Sequence, residues 1–201
     1  MTLTLQAAPK SDLDVLMKTL GRIDVVDPLA GGSVAYDVSE PVPVYTIDLE
    51  TAAGGRDLST AKQVAWRYLL TEDGEVATAD VDVSAPDEDA GDSDRFNNMT
   101  RGRLADMFTE ALHAAERIAA NSETDYQLRV LEVPSLNMGA VWLERSEAPI
   151  LIPYLDAVRL RGVLPDADKG FLDELRRRAI LRLEENREQV PDVTGNAQGA
   201  N

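Results

Sequence analysis

The feature that most restricts the fold of this chain is the pair Asp73-Gly74, which lies between two strand-like stretches. The preceding stretch reads QVAWRYLL and the following one EVATADVDV. An Asp-Gly pair in this position is typical of a two-residue hairpin turn, because glycine readily adopts the positive φ that the turn requires. Residues 63–70 are also compatible with a helix, but the turn favours a strand. The sequence therefore predicts an antiparallel hairpin with one shared face on its first strand, formed by Val64, Trp66, Tyr68 and Leu70.

Alternation with a period of two recurs elsewhere and predicts further strands. Residues 42–49 alternate in this way before Gly54-Gly55. The same period returns after Asn121 in QLRVLEV, MGAVWLER and PILIPY. The connections at 134–137 and 146–148 are short, which favours an antiparallel meander.

Helical periodicity predicts three helices. A short one begins at Ser11 or Asp12 and ends at Gly21, a long one spans 98–120, and a last one spans about 166–187. The apolar side of the first consists of Leu13, Leu16, Met17 and Leu20. That of the second consists of Leu104, Phe108, Ala111, Ala115, Ile118 and Ala119. That of the third consists of Phe171, Leu172, Leu175, Ala179 and Leu183.

This order of elements predicts an α+β fold. Two groups of mostly antiparallel strands are joined by a long helix, and a C-terminal helix packs on the sheet. We expect the helices to cover one face of the sheet. The expected organisation is an N-terminal helix and loop in 1–40, a single α+β domain in 41–187 with an acidic loop at 84–96, and a disordered tail in 188–201.

Charge and composition exclude several classes of function. The 201 residues carry a net charge of -16, which disfavours binding to nucleic acids and to anionic membranes. The sequence contains no cysteine, so disulfides, thiolate nucleophiles and cysteine-based metal sites are excluded. Neither a secretory signal nor a membrane-spanning run is apparent, and we expect a cytoplasmic protein without a cofactor.

An acidic stretch at 83–98, VSAPDEDAGDSDRFNN, is the first candidate site. A calcium-binding loop of the EF-hand type needs glycine at its sixth position and glutamate at its twelfth. A loop that begins at Asp80 or at Asp87 has neither residue at these positions. The stretch is therefore interpreted as a solvated insertion, with an ion sensor as the alternative. The metal-binding candidates of that alternative are Asp87, Asp89, Asp92 and Asp94.

Carboxylates within predicted strands are a second candidate site. Asp48, Asp80, Asp82 and Glu132 lie in otherwise apolar runs. If they converged in a pocket, they could support a small-molecule hydrolase, whereas simple alternation would place them on a solvent-facing side of the sheet. The single histidine, His113, falls opposite the apolar side of its helix, and we expect it to be exposed.

A cluster of arginines on the last helix is the candidate partner-binding site, formed by Arg176, Arg177, Arg178 and Arg182. Basic residues on an acidic protein can face a partner, or they can pair with nearby acids on the same helix. Trp66 and Trp142 are expected in the core. Because no catalytic constellation is evident, the sequence favours a non-catalytic protein-binding or assembly protein that contacts another protein or itself.

Overall fold

The computed structural model describes residues 3–26, 36–55, 58–83, 95–145, 149–156 and 170–188. These residues form one mixed sheet of nine strands together with four α-helices. The strands are β1 (Leu3–Thr4), β2 (Asp37–Val38), β3 (Val42–Thr46), β4 (Lys62–Glu72), β5 (Glu75–Asp82), β6 (Phe96–Arg101), β7 (Tyr126–Val133), β8 (Met138–Glu144) and β9 (Ile150–Asp156). The helices are α1 (Lys10–Val26), α2 (Leu49–Gly54), α3 (Arg103–Ala120) and α4 (Gly170–Glu188), and a 3-10 turn at Pro134–Leu136 connects β7 to β8.

The order of the long strands across the sheet is β6-β5-β4-β3-β7-β8-β9, with β1 beside β7 and β2 beside β4. Strands β3 to β6 form one antiparallel group, and β7 to β9 form another. The groups meet where β3 pairs in parallel with β7, and α3 carries the chain from one group to the other. The predicted α+β class is confirmed, and so is the C-terminal helix on the sheet.

The predicted hairpin is present as β4 and β5. Glu72 pairs with Glu75 across the turn, where Asp73 has φ 47° and Gly74 has φ 85°. Two successive positive φ angles match the twist of the adjoining strands and define a type I′ turn. The turn therefore sets the register of the whole hairpin.

Helices cover both faces of the sheet, so the expectation of one covered face was wrong. One face, here called the α3 face, packs Val130 of β7 against α3. The opposite face, here called the α1/α4 face, packs Leu131 against α2 and α4 and packs Trp66 against α1. The reason lies in the central strands, since β8 is buried at six successive positions. A strand that is buried on both sides requires cover on both faces.

Helix α3 begins later than the sequence predicted. Residues 96–101 pair with β5 as an edge strand, and Gly102 separates that strand from the helix with φ 69°. Leu104, which was predicted on the buried side, is 38% exposed. Pairing with β5 supplies backbone hydrogen bonds that a helical start would forgo, and the side-chain pattern alone does not show this.

Helix α1 continues through Gly21 to Val26, so the predicted end at glycine was wrong. Its buried side is formed by Val15, Leu16 and Leu20, while Leu13 and Met17 are exposed. Glycine ends a helix when it adopts a left-handed conformation, and Gly21 does not have a positive φ.

Replacing Gly21 by alanine is therefore expected to raise the free energy of unfolding by about 0.4–1 kcal/mol, because alanine loses less backbone freedom on folding. A Cβ at this position meets no atom within 4 Å. Urea denaturation followed by circular dichroism measures the change. Gly74→Ala is the control, since the positive φ of the turn should make that substitution cost about 1–2 kcal/mol. Destabilisation by Gly21→Ala would show that the helix ends at this residue after all.

The remaining boundaries also differ slightly from expectation. The strand predicted over 42–49 ends at Thr46, and Leu49 begins α2. The C-terminal helix spans Gly170–Glu188 and buries Phe171, Leu175 and Ala179. Most of the acidic loop, residues 84–94, and the tail after residue 188 lie outside the described residues.

Candidate functional site

Arg67 is the centre of a charged network beneath α3. It lies on β4 directly opposite Asp80 of β5, and the two residues are only 6% and 4% exposed. The guanidinium donates from Nε to Oδ1 of Asp80 over 2.7 Å and from Nη2 to Oδ2 over 2.6 Å. Both carboxylate oxygens are thus engaged in a bidentate pair, which is the strongest common geometry for such groups.

The second antiparallel group contributes Glu132 and Tyr154 to the same guanidinium. Nη1 of Arg67 lies 2.7 Å from Oε1 of Glu132 and donates to the Tyr154 hydroxyl over 2.6 Å. The Tyr154 hydroxyl in turn donates to Oε1 of Glu132. The network therefore connects β4 and β5 with β7 and β9, that is, the two halves of the sheet.

Two aromatic rings pack against this network, and one glycine leaves space for it. The Phe108 ring of α3 lies 5.2 Å from Cζ of Arg67, and it meets the Tyr154 ring edge to face at 5.0 Å. Gly139 on β8 allows Tyr154 to reach across that strand, because a Cβ at residue 139 would lie 3.0 Å from Cζ of Tyr154. A side chain at this position would obstruct the ring.

The electrostatics of the network keep Arg67 charged and Tyr154 neutral. Burial opposes the charge of Arg67, but the Tyr154 oxygen, Asp80 and Glu132 together raise its pKa well above the ordinary value. Burial raises the pKa of Tyr154 well above its ordinary value as well, and Glu132 adds to this while Arg67 acts against it. The hydroxyl therefore remains a hydrogen-bond donor at neutral pH. We interpret the network as a set of buried ionic contacts that holds the two strand groups together.

The four candidate carboxylates do not form one pocket. Asp80 and Glu132 meet at Arg67, while Asp82 accepts a hydrogen bond from Nδ2 of Asn97 over 2.7 Å. Asp48 is not on a strand but caps the N-terminus of α2, where its Oδ1 accepts from the backbone N–H of Thr51 over 2.7 Å. That backbone hydrogen bond lowers the pKa of Asp48. The expectation that simple alternation exposes these acids is also wrong for Asp80, which is buried on the α3 face.

Sequence reasoning did not assign Arg67, Tyr154 or Gly139 to any site, and it placed Phe108 only on the apolar side of its helix. The sequence did contain a signal for Arg67. The hairpin turn pairs Glu72 with Glu75, and the same register pairs Arg67 with Asp80. Two opposite charges facing each other within apolar strands indicate a buried ion pair. No comparable local signal exists for Tyr154, which is brought to the site by the pairing of β9 with β8.

The arginine cluster on α4 is bound largely by acids of the same helix. Arg177 pairs with Glu174 over 2.7 and 2.8 Å, and Arg178 donates to the same carboxylate over 2.6 Å. Hydrogen bonds from Arg177, together with Arg178, lower the pKa of Glu174 to about 2, against the effect of burial.

The other two arginines of the cluster also have contacts within the chain. Arg182 donates to Glu185 over 3.0 Å, and Arg176 donates to the carbonyl of Ala53 over 3.2 Å. The side chains of Arg177 and Arg182 are 59% and 50% exposed, so they remain accessible to a partner. The partner-binding role of the cluster stays a prediction.

The acidic metal candidates Asp87, Asp89, Asp92 and Asp94 lie outside the described residues. Within the described ranges, no group of three or more histidines, aspartates or glutamates could hold a metal ion. The adjoining Arg95 is described. It pairs with Asp12 of α1 over 2.6 Å and donates to the carbonyl of Asp82 over 3.0 Å, so it joins the start of α1 to the end of β5.

Most of the exposed large apolar side chains lie on the α1/α4 face or on the helices that cover it. Seven large apolar residues are exposed in the described part of the chain, and six of them lie on this face or on the helices that cover it. These six are Leu13, Met17, Val64, Val83, Ile180 and Leu181, and the seventh is Leu104 on α3.

A stacked arginine lies on the same face. The guanidinium of Arg129 is 5.0 Å from the Tyr45 ring and 4.9 Å from the Trp142 ring. Trp66 and Trp142 are 4% and 2% exposed, which confirms their predicted place in the core. His113 is exposed on α3, as predicted.

Comparisons of the chain with protein-family models, with curated proteins and with solved structures found no match. Among the described helices, none has the length and apolar character needed to cross a membrane.

Proposed function

We propose that this is a non-catalytic accessory protein of the cytoplasm that binds another protein through the α1/α4 face. The observation that carries the proposal is that six of the seven large apolar side chains exposed in the described part of the chain lie on that face or on the helices that cover it. Met17 and Leu181, which are 51% and 45% exposed, are its most exposed members. Apolar side chains that are exposed on one side of a protein can form a protein–protein contact when a partner covers several of them together.

The chemistry of the carboxylates supports binding over hydrolysis. A general acid or base needs a proton-accepting atom that is free to meet a substrate. Both oxygens of Asp80 are held by Arg67, and Asp48 is held by the first turn of α2. The ion-sensor alternative depends on residues outside the described ranges and stays a prediction.

Charge favours a different protein as the partner over a second copy of this chain. Two copies that each carry a net charge of -16 repel each other, whereas a neutral or basic partner is attracted. Arg129, whose guanidinium lies over the Tyr45 and Trp142 rings, adds a cationic residue of a type that is enriched among the residues that dominate binding energy.

The test is affinity purification of the tagged full-length protein from its native host, followed by affinity measurements with the partner obtained. We expect a partner at near-equal stoichiometry. Met17→Glu and Leu181→Glu should each weaken binding by about tenfold or more, because each buries a charge in an apolar contact. Leu104→Glu is the matched control, because Leu104 is similarly exposed but lies on the α3 face.

Three outcomes contradict the proposal. A protein that purifies alone and stays monomeric in sedimentation binds neither another protein nor itself. A partner retained equally by the Met17→Glu and Leu181→Glu variants binds elsewhere. Loss only when Arg176, Arg177 and Arg178 become glutamate would assign the contact to the arginine cluster instead of the apolar face.

A further inference from the structure

The sheet divides into two branches next to the start of β3. Strand β3 fills the space between β7 and β4 and pairs with both. Beyond its start the same space contains two strands, because β1 pairs with β7 at Tyr126 and β2 pairs with β4 at Leu70. The other edges of β7 and β4 are occupied by β8 and β5. The free edges of β1 and β2 therefore face each other, and these two strands do not pair.

A cavity of about 520 Å³ lies between the two branches. Ten of its twelve described lining residues belong to two continuous runs of main chain, namely 5–10, which follows β1, and 38–41, which leads from β2 to β3. With strands about 4.8 Å apart, sheet layers about 10 Å apart and a rise of about 3.3 Å, one residue of a paired strand fills about 160 Å³. The cavity therefore has room for about three residues of extended chain.

The main chain on both sides of this cavity has hydrogen-bonding groups without a protein partner. The N–H of Ser39 donates to the carbonyl of Leu69 over 2.9 Å, so the N–H and C=O of the preceding Val38 point away from β4, toward the chain that follows β1. Gln6 and Ala7 are exposed, and they make no main-chain hydrogen bond within the described residues. Unpaired main-chain edges of this kind can pair with an extended segment of another chain.

The side chains of the cavity favour an apolar segment with basic ends. Leu5, Val38 and Pro41 line the cavity and are half-buried, and Leu13 of α1 lines it and is 43% exposed. The lining residues Lys10 and Glu40 carry opposite charges. The net charge of -16 is therefore the dominant electrostatic effect, and it attracts a basic segment and repels an acidic one.

We propose that this cavity binds an extended segment of a partner protein, which adds as a strand between β2 and the chain that follows β1. One apolar side chain of the segment packs against Leu5, Leu13 and Val38. In strand addition the main-chain hydrogen bonds give affinity, and the pockets for alternate side chains give specificity. The inference rests on the proposed function, because Leu13 belongs both to the cavity and to the exposed apolar residues of the α1/α4 face.

The test uses three capped heptapeptides and an amide NMR titration of the full-length protein. The first peptide is Lys-Thr-Val-Thr-Val-Thr-Lys, which should bind saturably with a Kd below about 1 mM and shift the amides of Gln6, Ala7 and Glu40. The second has methyl groups on its three central nitrogens, and the loss of these donors should abolish binding. The third has glutamate in place of both lysines and should bind at least about threefold more weakly.

Two variants locate the binding of the first peptide. Val38→Pro removes the N–H that points into the cavity but keeps the bond from Ser39 to Leu69, and should weaken binding by about 3- to 10-fold, the effect of one neutral hydrogen bond. Val38→Thr is the matched control, since it keeps this N–H and nearly the same shape, and should leave the affinity unchanged. Ala7→Trp fills the cavity and should abolish binding. Circular dichroism verifies folding, and Ala7→Trp serves as the test if Val38→Pro does not fold.

The peptide results can overturn the inference by themselves. Absence of saturable binding of the first peptide up to about 1 mM contradicts it. Equal binding of the methylated peptide shows that main-chain pairing is not involved. An affinity that is unchanged in both Val38→Pro and Ala7→Trp shows that the peptide binds elsewhere. Binding that requires removal of residues 189–201, or a wild-type dimer that Val38→Pro dissociates, would assign the cavity to this chain's own tail or to a second copy.

The purified partner separates this inference from the proposed function. A partner whose binding is weakened by Val38→Pro and by Ala7→Trp, but not by Val38→Thr, supports the inference. A partner that is weakened by Met17→Glu but binds Val38→Pro and Ala7→Trp with unchanged affinity leaves the proposed function intact and overturns the added strand. A protein that purifies alone contradicts the proposed function, and with it the assignment of the segment to a partner.

Discussion

Replacing Arg67 by methionine is expected to lower the free energy of unfolding by about 3–5 kcal/mol, because removing one partner of a buried ion pair leaves an uncompensated buried charge. Asp80 would lose both of its hydrogen bonds while remaining 4% exposed. Glu132 and Tyr154 would lose their common donor. Urea denaturation of the wild type and the variant, with comparison of transition midpoints and slopes, measures this loss.

A second substitution shows whether the buried charge is the cause. The double variant Arg67→Met, Asp80→Leu removes both members of the pair and should recover a large part of the lost stability, since apolar replacements of buried pairs are often neutral. Arg182→Met is the surface control, because exposed ion pairs contribute only about 0–1 kcal/mol. Equal losses in the Arg67 and Arg182 variants would show that the network contributes no more than a surface contact.

Replacing Gly139 by alanine is expected to destabilise the protein by about 1–3 kcal/mol through overpacking. The new Cβ would lie 3.0 Å from Cζ of Tyr154 and 3.1 Å from Cβ of Leu155. The Tyr154 ring has little freedom to move away, because its hydroxyl is hydrogen-bonded to Arg67 and Glu132 and its ring meets Phe108. Thermal and urea denaturation measure the effect.

A double-mutant cycle identifies the obstructed group. The cost of Gly139→Ala should shrink when Tyr154 is replaced by leucine, because the two positions are in contact and their effects are then not additive. Gly54→Ala is the control, since a Cβ at residue 54 meets no atom within 4 Å. A Gly139→Ala cost that is unchanged in the Tyr154→Leu background would place the strain at Leu155 or in the strand itself.

Much of the local structure was predictable from the sequence. The Asp73-Gly74 turn indicated both the β4–β5 hairpin and its register, and the period of two indicated the β7–β9 meander. The stripe around Phe108 and Ala111 indicated α3, although not its start. These features depend on neighbours within a few residues, where backbone geometry and side-chain periodicity act directly.

Only one part of the candidate site was predictable from the sequence. The Arg67–Asp80 pair follows from the hairpin register, so it depends on one turn. The contacts with Glu132 and Tyr154 depend on the parallel pairing of β3 with β7 and on the antiparallel meander beyond it. Such pairing joins segments far apart in the chain, and the local pattern of either segment does not specify its neighbour.

The sequence by itself determined that β4, β5 and β7 to β9 are strands, that α1, α3 and α4 are helices, the register of the central hairpin, and the net charge of -16. The tertiary structure decided that residues 96–101 extend the sheet, that α1 continues beyond Gly21, and that helices cover both faces. It also decided that two strand carboxylates meet one buried arginine. The physical reason is that periodicity reports only which side chains share a face, whereas burial and hydrogen bonding between distant segments determine what each face meets.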